Sequence, residues 1–88
     1  MREIDGDITI VETTVGDLDG LSVGVGNIWD GEVSLTTWSE TLPELRRRVA
    51  VGACIAAGDA NWLVVAIADP PGALGSVTLR RVPPATLP

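Results

Sequence analysis

Three kinds of residue in this chain could do chemistry: carboxylates set beside glycines, a single cysteine, and a run of arginines. Acid–glycine clusters recur at Asp5-Gly6-Asp7, Asp17-Leu18-Asp19-Gly20 and Asp30-Gly31-Glu32. Calcium wants several oxygen ligands, which such clusters could offer, but none follows the spacing of an EF-hand loop. Asp and Gly are also what tight turns require, and the clusters are read as turns. Cys54 lies in the small apolar stretch Gly52-Ala53-Cys54-Ile55-Ala56, where a thiol is expected to behave as a small buried hydrophobe. One cysteine forms neither an internal disulfide nor a structural zinc site.

The chain contains no His, Lys, Tyr, Phe or Gln. Without His there is no Ser-His-Asp or Cys-His pair and no imidazole metal ligand. Without Lys there is no P-loop lysine and no Schiff base. Acid–base work would fall to Asp, Glu or Cys54, and an enzyme using paired carboxylates is the catalytic alternative. The expectation is a non-enzyme without cofactor or metal. Gly24-Val25-Gly26 is not continued as a dinucleotide fingerprint and is read as strand flexibility.

Binding residues are more plausible than catalytic ones. Trp29 and Trp38 fall on the non-core face of a predicted hairpin, and Trp is enriched at interface hot spots; the bland alternative is a second small core. They lie too far apart along the strands to form one aromatic cage. Arg46-Arg47-Arg48 could contact phosphate or protein, but a net charge of −6 opposes a polyanionic partner. On a helix the three would fan around the axis, with Glu44 and Arg48 spaced as an i,i+4 pair.

These residues need elements to carry them. Asp7 to Val15 is rich in β-branched residues and reads as a strand, followed by a turn at Asp17–Gly20. Leu21 to Ser39 reads as a hairpin, because Asp30-Gly31 supplies the positive φ angles of a type I′ turn. A simple two-residue loop puts Ile28 opposite Val33 but sets Val25 against Thr36, out of phase with the core face. One extra residue at Gly26-Asn27 repairs the phase and predicts a β-bulge. The core face is then Leu21, Val23, Val25, Ile28, Val33 and Leu35. The other face carries Trp29, Glu32, Ser34, Thr36 and Trp38.

Thr41-Leu42-Pro43-Glu44 fits a capping box, Leu42, Leu45, Val49, Ala53 and Ala56 follow helical spacing, and Gly58 fits a helix stop. This predicts a helix over about 42–57. Trp62 to Ala68 reads as a central strand covered on both faces, and Ser76 to Val82 as a last strand whose Arg80 and Arg81 suit an edge. The expected fold is α+β: a mostly antiparallel five-stranded sheet in the order β-β-β-α-β-β, in one domain over 1–82, with an extended tail at 83–88. The alternative is an all-β barrel or sandwich with 49–57 as a strand, hairpinned to Trp62–Ala68.

No basic leader precedes the first apolar run, so no signal peptide is expected. The apolar window 49–68 is broken at its centre by Gly58-Asp59-Ala60-Asn61, which argues against a membrane span. Charge is unevenly placed. Residues 1–45 hold ten acids and one Arg, net −9, and residues 46–88 hold two acids and five Arg, net +3. Every cation is Arg, and Ala, Val and Gly abound, as GC-rich codons give. Together these suggest an assembly or structural subunit whose acidic half meets the basic half of another copy, or a larger structural protein. Candidate interface residues are Trp29, Trp38, Arg46, Arg47, Arg80 and Arg81. A phage structural protein of a high-GC bacterium, such as a capsid decoration or head–tail component, fits, placing the chain in the virion or the cytoplasm. The rival is a small acidic cytosolic binding or inhibitor protein.

Overall fold

A computed structural model of the chain describes residues 7–18, 20–57 and 60–82. They form eight strands: β1 (Asp7–Val11), β2 (Val15–Leu18), β3 (Leu21–Trp29), β4 (Glu32–Trp38), β5 (Leu45–Ala50), β6 (Cys54–Ala57), β7 (Ala60–Ala68) and β8 (Ser76–Val82). They make two antiparallel four-stranded sheets, ordered β1-β8-β7-β6 and β2-β3-β4-β5. Each strand pairs with its sequence neighbour except at β1/β2 and β5/β6, and β8 returns beside β1. The topology is an up-and-down ring of eight strands opened at two corners.

The α+β expectation is wrong. There is no helix among the described residues, and the all-β alternative matches in class, though 45–57 is two strands rather than one. Leu45–Ala50 pairs with β4, Val49 opposite Val33, while Cys54 and Ile55 pair with Leu63 and Trp62 of β7. Gly52, at φ 102°, turns the chain between the two sheets, a conformation no helix accommodates. The capping box is not formed. The Ser39 hydroxyl instead accepts from the Thr41 and Leu42 amides (3.2 and 3.0 Å), which folds the β4–β5 loop. The helix stop at Gly58 and the tail at 83–88 lie outside the described residues.

Other expectations are refined. The stretch Asp7–Val15 is broken at Thr13 (φ 69°), so β1 and β2 part into different sheets. β7 is central in its sheet, but its burial alternates, Trp62 and Val64 facing inward, so only one face is fully covered. β8 is not an edge; it lies between β1 and β7. Cys54 is exposed, because on edge strand β6 it is Ile55 that takes the inward position.

The hairpin reading holds in detail. Asp30 and Gly31 have φ 56° and 76°, as a type I′ turn demands. Val25 faces Leu35, Gly26 faces Ser34 and Trp29 faces Glu32, so Asn27 and Ile28 together oppose Val33. That is the bulge, with Asn27 at φ 51°. All six predicted core residues of the hairpin are buried, joined by Ile10, Leu18, Val49, Ile55, Trp62, Val64, Val77 and Leu79 in one cluster between the sheets.

The two open corners are tied by polar contacts. Glu12 binds Gly75 through its backbone amide (2.9 Å), and its carboxylate accepts from the Gly75 amide (3.0 Å) and more weakly from Ile28 (3.5 Å). The bulge withdraws Ile28 from the ladder, and Glu12 occupies its amide. At the other corner the Arg47 guanidinium donates to the Cys54 carbonyl (3.1 Å), linking β5 to β6.

Candidate functional site

The outer face of the β2-β3-β4-β5 sheet carries the strongest candidate. Its inward residues are the alternate positions Leu21, Val23, Val25, Val33, Leu35 and Val49. Unbroken alternation from Val25 would turn Trp29 inward as well. The bulge reverses the phase, so Ile28 enters the core and Trp29 stands on the outer face opposite Glu32. A backbone irregularity thus sets a large aromatic on the surface, 60% exposed.

Trp29 is held there. The Arg48 guanidinium lies over its ring at 4.8 Å from the centroid. The same guanidinium donates to Glu32 Oε1 (3.0 Å), the Asn27 carbonyl (2.9 Å), Ser34 Oγ (3.0 Å) and the Trp29 carbonyl (3.1 Å). Arg suits this role because its planar fork reaches several acceptors while one face stacks on an aromatic. Arg48 therefore ties bulge, hairpin end and indole into one rigid unit.

Behind Trp29 the sheet is hollowed. Val15, Gly24, Thr36 and Arg46 form one row across its four strands, and Gly26, Ser34 and Arg48 the next. Two glycines in the middle strand leave the floor bare, and a groove of about 300 Å³ runs over them, lined also by Thr13 and Thr14. The Trp38 ring lies beside Gly24 on the same face; a Cβ on Gly24 would sit 3.6 Å from it. Among the described residues, no acidic side chain lines this groove.

The six residues singled out from sequence do not form one patch. Trp29, Trp38 and Arg46 share this face. Arg47 lies exposed at the β5 edge, in register with Leu35 and bonded to the Cys54 carbonyl. Arg80 lies in the other sheet, bound bidentately to Asp7 (2.9 and 3.1 Å), and Arg81 sits in register with Trp62. The hydrogen bond from Arg80, aided by its charge and opposed by partial burial, holds the Asp7 carboxyl below its usual value. This pair and Arg48–Glu32 each join an acid of the first half to an arginine of the second. The linear charge split is partly cancelled within the molecule. The i,i+4 pairing of Glu44 with Arg48 is replaced by Glu32.

Arg48 is the residue sequence reasoning missed. Its signal was available: in a strand, Arg46 and Arg48 share the face opposite Val49. Among the described residues no group of three or more Cys, Asp or Glu is placed to hold a metal ion. No described helix is long and apolar enough to cross a membrane. No family model, curated protein or solved structure matches this chain.

Proposed function

We propose that this chain is a non-enzymatic interaction module, a subunit of a larger protein assembly that docks through the outer face of its β2-β3-β4-β5 sheet. The observation carrying this reading is Trp29, exposed yet stacked against the hydrogen-bonded Arg48 guanidinium. Interface energy concentrates in a few Trp, Tyr and Arg residues, and ordering a side chain before binding removes an entropic cost of about 0.5–1.5 kcal/mol. The Gly24–Gly26 hollow beside it gives the face relief that a partner can fill. Composition suggests the kind of assembly: an Arg-only, Ala- and Val-rich chain fits a capsid decoration or head–tail component of a phage of a high-GC bacterium. Affinity capture from the native source, quantified by mass spectrometry, tests the reading. Trp29→Ala should lose the specific partners that wild type retains, while Leu74→Ala, at another exposed apolar position, should keep them. Equal recovery with Trp29→Ala would remove Trp29 as the anchor.

A further inference from the structure

The outer face carries a projecting group and a recess together. Trp29 stands out from the bulged end of β3, and the groove opens over Gly24 and Gly26 on the same side of the same sheet. At about 300 Å³ the groove lies at the lower limit of small-molecule sites, which run to roughly 300–1,000 Å³, and suits one large side chain. Beside Trp29, the exposed turn residue Asp30 has no ion-pair partner among the described residues. In the groove, Arg46 has none either. Projection matches recess, and an unpaired acid accompanies the one while an unpaired cation lines the other.

Resting on the reading of this face as the docking surface, we infer that its occupant is a second copy of the chain. Two molecules meet face to face about a twofold axis, each placing Trp29 in the other's groove and Asp30 beside the other's Arg46. A twofold contact is isologous, so every interaction is made twice and the pair closes without growing into a fibre. Two chains of net −6 repel at long range, and Arg46 and Arg48 offset two of the three carboxylates Asp17, Asp30 and Glu32 on this face, while screening limits the remaining repulsion to about 8 Å at physiological salt. Indole burial supplies the affinity; the Asp30–Arg46 pairs set the register.

Sedimentation equilibrium of the full chain, from micromolar to millimolar protein, decides this. Wild type should run as a concentration-dependent dimer. Trp29→Ala should weaken dimerisation about thirtyfold or more, as loss of a hot-spot aromatic does. Gly26→Leu should do the same by filling the groove. A Cβ there meets nothing within 4 Å and the backbone is not left-handed, so the fold should persist, which circular dichroism verifies. Asp30→Asn and Arg46→Gln should each weaken the dimer up to about fivefold, with less than additive loss in the double variant. A wild type that stays monomeric throughout, a folded Gly26→Leu that dimerises unchanged, or full additivity of the charge variants would overturn the proposal. Capture of other proteins that still depends on Trp29 would then leave the interaction-module reading standing and refute only the second copy as occupant.

Discussion

Replacing Arg48 with Met keeps the aliphatic stem and removes every polar contact that holds Trp29. The cost can be worked from the geometry. The ion pair with Glu32 is half exposed, the two side chains 28% and 50% accessible, and such pairs contribute about 0–1 kcal/mol. Stacking on an exposed indole adds about 0.5–1 kcal/mol. Hydrogen bonds to the Asn27 and Trp29 carbonyls and to Ser34 Oγ contribute about 0.5–1.5 kcal/mol each, at the lower end here because water reaches these acceptors. One side chain makes them all, so the terms are not additive, and about 2 kcal/mol is expected. For a domain of this size that is roughly a 10 °C fall in Tm. Urea unfolding followed by circular dichroism measures the loss. Fluorine NMR of fluorotryptophan-labelled protein follows Trp29 itself, its line assigned from Trp29→Phe. In Arg48→Met the Trp29 resonance should sharpen and move toward that of free fluorotryptophan, with the Trp62 line unmoved. A stability change below about 0.5 kcal/mol, the usual scale of a neutral surface substitution, with an unshifted Trp29 line, would refute the claim that Arg48 fixes the indole.

Three further substitutions probe the frame that presents this face. Gly75→Ala should destabilise by about 1–3 kcal/mol, since its Cβ would lie 2.6 Å from the Ala68 carbonyl oxygen and 2.7 Å from Ile28 Cδ1; an unchanged urea midpoint would contradict the close approach. Glu12→Ala should cost about 1–3 kcal/mol by leaving the part-buried Gly75 and Ile28 amides without their acceptor, and hydrogen exchange at those two amides should rise before that of the strand centres. Asp7 has a carboxyl pKa lowered by its hydrogen bond from Arg80, so its contribution is present above its unfolded pKa and is lost as pH falls through the folded one. Asp7→Asn should therefore narrow the stability gap to wild type as acid is added below about pH 4, and a gap constant from pH 7 to pH 2 would contradict the pairing.

The hairpin was legible because its signals were local and mutually consistent. Asp30-Gly31 specified the turn, and the alternating apolar residues on either side were out of phase by one, which only a bulge reconciles. The segment 42–57 was not legible, because its signals conflicted. Thr41-Leu42-Pro43-Glu44 has the residues of a capping box, yet the Ser39 hydroxyl accepts from the Thr41 amide, which Glu44 would have capped, and from the Leu42 amide. β5 is an edge strand in which Val49 alone is buried, so it shows almost no period-two pattern. Its pairing with β4 is a tertiary preference that overrides local propensity. The candidate site was half legible: the faces of Trp29 and Trp38 followed from the register, and the glycine floor was in view as Gly24-Val25-Gly26. Arg48 was hidden by the helix reading. The apparent polarity of charge along the chain is partly cancelled on folding, since antiparallel pairing brings Asp7 to Arg80 and Glu32 to Arg48.

The central claim is that the chain works through the outer face of its β2-β3-β4-β5 sheet. A hydrogen-exchange footprint tests it most directly, comparing the free chain with the chain bound in the complex captured from its native source. The account predicts added protection over Gly24–Trp29, Ser34–Thr36 and Arg46–Arg48, with the β1, β7 and β8 amides unchanged. Protection concentrated on the β1-β8-β7-β6 sheet, with the Trp29 hairpin exchanging as in the free chain, would contradict it.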